Sequence, residues 1–228
     1  MRIVVSVATS LDGFISDDGP HRLVLSSPED LEEVHRLRAQ SDAILVGGET
    51  VRRDDPSLAT RLPAGFELRR QRGVAPHPIK ATITRSGDLP PESKFFTEGD
   101  APKLVYCEAS VAAGLERRLG SRASVIPLQE GAHVAQTIVA DLARRGVGQL
   151  MIEGGARTIG LFLDAGLVDA VRLAVAPVVC GERGRSRPFS RPFPQWADRG
   201  RITLREVRAL GDTVVSWYEL ERMHDAAG

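Results

Sequence analysis

Short apolar runs alternate with amphipathic segments from the N-terminus to about residue 170. Apolar runs of strand length predict buried β-strands at 2–8, 42–48, 79–84, 103–107, 124–128 and 149–153. Segments with an apolar residue at every third or fourth position predict helices at 27–40, 110–119, 132–145 and 157–166. This order of elements predicts a mostly parallel sheet with helices on both of its faces.

The segment 27–40 carries clear signals for the start of a helix. Ser27 is a favourable N-cap, Pro28 suits the first helical position, and Asp30 places a negative charge in the opening turn. We therefore expect this helix to begin at residue 28.

The pattern changes near residue 170, where three more strands are predicted at 170–179, 201–210 and 213–222. The dipeptide Gly211-Asp212 between the last two predicts a hairpin turn. Two stretches rich in Arg, Pro and Gly predict irregular loops at 56–78 and 181–200. No internal repeat or linker is visible, so we expect residues 1–228 to form one α/β domain with an antiparallel C-terminal hairpin.

Charge and composition narrow the classes of function. The 228 residues contain 30 Lys and Arg against 30 Asp and Glu, and this zero net charge argues against a general nucleic-acid binder. The two cysteines and five histidines show no metal-ligand spacing, so no metal site is expected. No apolar run reaches membrane-spanning length and no signal peptide is evident, which predicts a cytoplasmic protein without a membrane partner.

Two strands end in a glycine pair and run into a helix. Gly47-Gly48 follows one strand, and Gly154-Gly155 follows another after Glu153. Glycine lets backbone N–H groups approach a ligand closely, and a helix N-terminus favours phosphate. Either pair could instead simply make a tight turn, and neither matches the GxGxxG or P-loop pattern.

An ordered set of segments carries a family resemblance. The segments are SLDGFIS, LRAQSDAILVGGETVRRDDPSLATR, ITRSGDLP, IEGGARTIGLFLDAGLVD and APVVCG. From about residue 3 to 220 the chain resembles the reductase domain of the bifunctional bacterial riboflavin-biosynthesis proteins and their stand-alone archaeal relatives. That resemblance implies the dihydrofolate-reductase-like fold. No zinc deaminase signature is present, so only the reductase half is expected.

The resemblance also implies an activity. Members of this family use NADPH to reduce the ribosylamino group of a pyrimidine 5′-phosphate to a ribitylamino group. The cofactor supplies the difficult chemistry, and the protein supplies orientation and electrostatics. This division of labour is consistent with a sequence that shows neither a nucleophile triad nor a metal cluster.

Matching the family motifs assigns cofactor-side residues along several strand ends. They are Ala8, Thr50, Asp54, Arg85, Ser86, Gly154, Gly155, Ala156, Arg157, Thr158, Ile159, Gly160 and Leu161. Arg85 and Ser86 are expected to bind the 2′-phosphate, although "SGD" could also be a plain turn. Asp54 is a candidate catalytic residue, although it could merely end a short helix.

The same matching assigns substrate-side residues, which are Arg22, Arg38, Leu58, Arg61 and Glu153. A carboxylate at Glu153 can accept hydrogen bonds from pyrimidine N–H groups, which makes it the second catalytic candidate. Arg61 can bind the substrate phosphate bidentately. The alternatives are a Glu153 that caps the next helix and an Arg38 that is an ordinary surface residue at a helix end.

Two departures from the family pattern bear on the substrate. Bacterial members often have Lys where this chain has Ser6, and Ser-x-Trp where it has Arg22-Leu23-Val24. The exact substrate therefore stays open. A reductase of another pterin- or pyrimidine-like ring, such as dihydrofolate, and a non-catalytic nucleotide- or flavin-binding module are the alternatives.

The C-terminal hairpin, 201–222, is apolar on both of its faces. Its apolar residues are Ile202, Leu204, Val207, Val214, Val215, Trp217, Tyr218 and Leu220. An uncovered sheet edge of this kind favours association, although helices of the same chain could cover it. The family resemblance implies a homodimer built on this part of the sheet.

Overall fold

One large β-sheet runs through the protein, which the computed structural model describes for residues 1–19, 23–129, 133–190 and 192–222. Among these residues the strands are β1 (Arg2–Thr9), β2 (Ser16–Asp17), β3 (Ala43–Gly47), β4 (Ile79–Thr84), β5 (Lys103–Glu108), β6 (Ser124–Leu128), β7 (Gln149–Gly154), β8 (Ala170–Val175), β9 (Gly184–Ser186), β10 (Ile202–Leu210) and β11 (Thr213–Leu220). The helices are α1 (Pro28–Gln40), α2 (Gly48–Asp54), α3 (Pro63–Gln71), α4 (Lys94–Thr97), α5 (Ala109–Leu119), α6 (Val134–Arg144) and α7 (Ala156–Asp164). None of these helices is both long and apolar enough to cross a membrane.

The strand order of the main sheet is β10-β11-β8-β1-β7-β3-β4-β5-β6. From β8 to β6 all neighbouring strands are parallel, whereas β11 is antiparallel to both β8 and β10. The predicted mostly parallel sheet with a C-terminal antiparallel hairpin is therefore confirmed. Its parallel strands bring their carboxyl ends to one edge, where open α/β sheets bind ligands.

The apolar core lies on both faces of the sheet. Val5 of β1 belongs to a buried cluster with Ile138 of α6 and Phe162 of α7, whereas the neighbouring Val4 belongs to a cluster with Leu37 of α1. This alternation follows from the two-residue period of a strand. It explains why the parallel strands are continuous apolar runs in the sequence, since both of their faces are covered.

The prediction of irregular loops at 56–78 and 181–200 was wrong in part. The first stretch contains α3, in which Pro63 occupies the start of the helix. A Cβ added at Gly65 would lie 3.1 Å from the Cβ of Ala39, so glycine allows α3 to approach α1 closely. The second stretch contains β9, which pairs with β2. Tertiary contacts of this kind outweigh a loop-like composition.

Candidate active site

The two glycine pairs meet at the carboxyl edge of the sheet, where β3 and β7 are parallel neighbours. A Cβ added at Gly47 would lie 2.9 Å from Oγ1 of Thr158, and one at Gly155 would lie 3.5 Å from the backbone nitrogen of Gly47. Gly155 also has a φ of +83°, a conformation that favours glycine. The N-termini of α2 and α7 therefore begin side by side, with their backbones packed closely together.

A cavity of about 200 Å³ opens beside the glycine pairs. Its walls come from the ends of β1, β7 and β8, from α1 and α2, and from the loop after β1. The predicted site residues that line it are Ala8, Arg38, Thr50, Asp54, Glu153, Gly154, Gly155 and Ala156. Residues predicted to contact cofactor and substrate thus border one cavity, although they are far apart in sequence.

Glu153 and Arg38 form a partly buried, bidentate ion pair in this cavity. Nε and Nη2 of Arg38 donate to the two carboxylate oxygens of Glu153, each at 2.6 Å. The side chains are only 15% and 9% exposed. Glu153 therefore neither caps α7, whose N-cap makes no side-chain hydrogen bond, nor faces solvent, and Arg38 is not a surface residue.

The electrostatics of the pair favour the charged form of Arg38. Burial alone would lower the pKa of Arg38, but the charge and the hydrogen bonds of Glu153 outweigh burial and raise it. A planar guanidinium holding both carboxylate oxygens fixes the plane of the carboxylate. Glu153 is thus presented as an oriented hydrogen-bond acceptor at the end of β7.

A second basic group lies on the same side of α1. The pKa of His35 is lowered by burial and by the positive charges of Arg38 and Arg61, and raised to a smaller extent by Glu153. The charges of Arg38, Arg61 and Glu153 are therefore all close enough to act on His35. Arg61 is half exposed, and its Nη2 lies 3.5 Å from Oε2 of Glu98, so it can reach solvent-borne anions.

Two loops cover the cavity from the β1 side, and Asp12 joins them. The carboxylate of Asp12 accepts hydrogen bonds from the backbone N–H groups of Cys180 (3.1 Å) and Gly181 (2.7 Å). A hydrogen bond from Ser10 is the largest effect that lowers the pKa of Asp12, to about 2. Arg187 stacks 4.1 Å above the ring centre of Phe14. The "SLDG" turn is thereby fixed to the loop after β8.

Other predicted residues lie outside the cavity lining. Arg85 and Ser86 are exposed at the end of β4, and Arg157 is exposed in the first turn of α7. Leu58 is fully buried with a φ of +52°, and Ile159 is part of the core. The remaining α7 residues are the buried Thr158 and Gly160 and the half-buried Leu161. Arg22 lies outside the described residues. The proposed roles of these residues stay predictions.

The structure also places residues in the cavity to which the sequence gave no role. Asp30 and Arg172 line the cavity as a buried ion pair, and Ser6 lies between Arg172 and the β7 side. An arginine inside the apolar run "AVRLAVAPVV" was the available signal for Arg172. Within the described chain no cluster of three or more His, Cys, Asp or Glu side chains could hold a metal ion.

Comparison with known proteins decides the family. The sequence model of the RibD C-terminal domain matches residues 2–216. The chain belongs to the RibD C-terminal domain family.

Among relatives in this family, the chain is 34% identical over 186 residues to the 2,5-diamino-6-ribosylamino-4(3H)-pyrimidinone 5′-phosphate reductase of Archaeoglobus fulgidus, covering 82% of this chain and 84% of the relative. It is 28% identical over 220 residues to the reductase of the same name from Methanothermobacter thermautotrophicus, covering 96% and 98%. The suspected relation to riboflavin-pathway pyrimidine reductases is thereby confirmed. The chain is a member of a reductase family.

Solved structures of the RibD type share the fold. A pyrimidine reductase-like protein from Corynebacterium diphtheriae superposes with a TM-score of 0.81 at 22% identity, over 97% of this chain and 92% of that one. RibD from Acinetobacter baumannii superposes with a TM-score of 0.76 at 24% identity, over 96% and 58%. The predicted fold class is therefore confirmed.

Proposed function

We propose that the protein is an NADPH-dependent reductase of a ribosylaminopyrimidine 5′-phosphate, which converts the ribosylamino group to a ribitylamino group. The observation that carries this proposal is the oriented Glu153–Arg38 pair beside the glycine-lined junction of α2 and α7. In this arrangement, an acceptor for the N–H groups of a ring lies next to a surface that suits a dinucleotide. The names of the two archaeal relatives support the same substrate class.

The glycine junction fits a dinucleotide cofactor. Glycine at positions 47 and 155 lets the two strand ends pack closely against Thr158, since an added Cβ would lie 2.9 Å and 3.2 Å from its Oγ1. The N-terminus of α7 then offers N–H groups to a pyrophosphate. Thr50 and Ala156 would border the cofactor from α2 and α7, and Ala8 would border it from β1. NADPH, when bound, would supply a hydride to C1′ of the ring-opened, imine-like sugar, while the attached nitrogen would take up a proton.

On the substrate side, the positions of Glu153 and Arg38 in the cavity wall support the proposed roles. Glu153 accepts hydrogen bonds from the pyrimidine ring, and Arg38 holds its carboxylate in plane. Arg61 binds the substrate phosphate after exchanging its long contact with Glu98, which stabilises little because both side chains are about half exposed. Leu58 contributes its backbone, since its side chain is fully buried.

Asp54 remains our second candidate for a residue at the reacting atoms. It ends α2, is half-buried and lines the cavity. Its neighbour Asp55 takes a left-handed conformation with a φ of +42°, accepts a hydrogen bond from the N–H of Lys94 at 2.7 Å, and so ends the helix. The structural task of stopping α2 thus falls to Asp55, whereas Asp54 lines the cavity.

The experiment that tests this function measures binding and turnover separately. Fluorescence titration with NADPH gives the cofactor Kd, and the loss of NADPH absorbance with the pyrimidine phosphate gives the rate. Mass spectrometry of the product should show the gain of two hydrogens. Turnover on dihydrofolate alone would favour a different ring reductase, and NADPH binding without turnover on any pyrimidine or pterin would favour a non-catalytic binding module.

A further inference from the structure

Arg172 lies in a row of three side chains at the base of the cavity. On β8 it is the register partner of Ser6 on β1, and Glu153 on β7 lies one step beyond the paired residues Val5 and Ile152. Paired residues of neighbouring parallel strands point to the same face. Glu153, Ser6 and Arg172 therefore share the α1 face of the sheet, with the small Ser6 in the middle.

Helix α1 crosses this row and holds both of its ends. Near its C-terminus Arg38 pairs with Glu153, and in its first turns Asp30 and Glu33 pair with Arg172. Nε of Arg172 donates to Oε1 of Glu33 at 2.8 Å, and Nη2 donates to Oδ1 of Asp30. The two carboxylates therefore hold the guanidinium of Arg172 in one orientation.

The charges around Arg172 balance without a charged ligand. Arg208 of β10 places its Nη2 2.8 Å from Oε2 of Glu33, so two arginines face two carboxylates. A buried ion network is usually no more stable than a well-packed apolar replacement. Stability alone therefore does not account for a 1% exposed arginine and a fully buried aspartate in the cavity wall.

The remaining nitrogen of Arg172 is the group available to a ligand. Nε and Nη2 are committed to the two carboxylates, and no hydrogen bond joins Nη1 to any residue in the described ranges. Arg172 nevertheless lines the cavity. Nη1 is therefore the nitrogen of this guanidinium that a ligand above Ser6 would meet without breaking a bond to a carboxylate.

We propose that Arg172 is a specificity-determining residue of this site, which donates from Nη1 to an acceptor on the substrate ring, opposite the edge bound by Glu153. The inference rests on the proposed function and adds a requirement on the substrate. The strands β7 and β8 flank β1, so their backbones are about 10 Å apart. A flat ring lying above Ser6 would therefore meet Glu153 at one edge and Arg172 at the other.

The substrate class follows from this arrangement. The ring carries N–H donors on the edge toward β7, and a carbonyl oxygen or ring nitrogen on the edge toward β8. A pyrimidinone meets both requirements. Ser6 leaves room for the guanidinium above β1, so the donor comes from β8 rather than from β1.

The test compares Arg172→Lys with Arg208→Met. Lysine keeps the charge but loses the planar donor fork, whereas Arg208 touches the same Glu33 without lining the cavity. For Arg172→Lys we expect KM for the pyrimidine phosphate to rise about tenfold or more, in line with one charged hydrogen bond. The NADPH Kd and inhibition by ribose 5-phosphate, which has no ring base, should change less than about twofold in both variants.

A folded Arg172→Lys protein with the KM of the wild type would overturn the proposal. So would an equal loss of affinity for ribose 5-phosphate, because Arg172 would then act on the sugar phosphate. If Arg172→Lys does not fold, the double variant Asp30→Leu/Arg172→Met replaces the ion pair by apolar side chains and leaves Glu33 to Arg208. It should show the same rise in KM. Wild-type protein that does not turn over the pyrimidine would instead refute the proposed function.

Discussion

The neighbours of Glu153 set the orientation and the burial of its carboxylate. Its position after an apolar strand suggested a hydrogen-bond acceptor, and the structure pairs it with Arg38 through two bonds of 2.6 Å. The pair combines orientation with burial, since both groups are nearly enclosed. A substrate N–H that reaches Glu153 therefore meets a carboxylate oxygen whose direction is already set.

Replacing Glu153 by Gln should lower turnover while sparing the cofactor. Glutamine keeps the shape, but it exchanges one acceptor oxygen for a donor group that faces Arg38 or the ring. We expect kcat/KM to fall by about tenfold or more, the loss of one charged hydrogen bond, with the NADPH Kd nearly unchanged. Steady-state kinetics and fluorescence titration provide the two measurements.

Glu32→Gln is the matched control, because Glu32 is exposed on α1 and outside the cavity lining. It should behave like the wild type. An unaltered kcat/KM for Glu153→Gln would remove Glu153 from the site. A collapsed melting temperature would assign Glu153 to the stability of the fold instead.

Arg85 should set the preference for NADPH over NADH. It is exposed at the end of β4, so Arg85→Ala removes a charge without opening the core. We expect the Kd for NADPH to rise by about tenfold to a hundredfold, from the loss of a charged hydrogen bond to the 2′-phosphate, and the Kd for NADH to stay the same. An equal loss for both cofactors would contradict this role, and Arg122→Ala, another exposed arginine, is the control.

At the level of elements, the two strand–Gly–Gly–helix units act together. β3 and β7 are neighbours, so α2 and α7 start from adjacent strand ends and their backbones can come into van der Waals contact. Thr158 lies against both glycine pairs and tolerates no added methyl group at Gly47. The glycine junction therefore needs both units, and neither forms it alone.

Gly155→Ala should damage both stability and cofactor binding. Alanine at a φ of +83° is strained, and its Cβ would lie 3.2 Å from Oγ1 of Thr158. We expect a loss of about 1–3 kcal/mol in the free energy of unfolding and a weaker NADPH complex. Thermal melting and fluorescence titration measure these effects.

Gly114→Ala provides the comparison within α5. A Cβ at Gly114 meets nothing within 4 Å, so alanine should be neutral or stabilise by about 0.5–1 kcal/mol. If Gly155→Ala behaved in the same way, the junction would not need glycine, and its proposed role in cofactor binding would fail.

At the scale of the whole molecule, the C-terminal hairpin forms one edge of the sheet. β11 is covered by its own chain, since Trp217 and Tyr218 pack against the apolar clusters on opposite faces. β10 is different, because Ile202, Leu204 and Val207 are 40%, 52% and 56% exposed at the edge. An apolar edge strand of this length favours association.

We predict a homodimer that uses β10, with a mass about twice 24.7 kDa. Val207→Glu should yield monomer, because a charge on the exposed face of β10 would be buried in the dimer without a partner. Light scattering at micromolar concentration measures the mass. Trp217 is a poorer test, since its substitution would also damage the core.

Val179→Glu is the control for the dimer, because Val179 is 68% exposed and lies outside the sheet. It should leave the mass unchanged. A monomer mass for the wild type would refute the prediction. A dimer that persists in Val207→Glu would place the contact elsewhere.

The sequence by itself determined the layered fold. Strand length, helical periodicity and the turn at Gly211-Asp212 are local properties, and they predicted the parallel sheet and the hairpin correctly. The family motifs also identified residues that converge on one cavity, because the ends of parallel strands must meet at one edge.

Only the tertiary structure decided which charged groups face each other. Arg38 and Glu153 are 115 positions apart, and Asp30 and Arg172 are 142 apart. Asp30 looked like a favourable acid in the first turn of a helix, and only the packing of α1 across β8 makes it the partner of a buried arginine. Such pairings depend on sheet order and on helix placement, which local propensity does not encode.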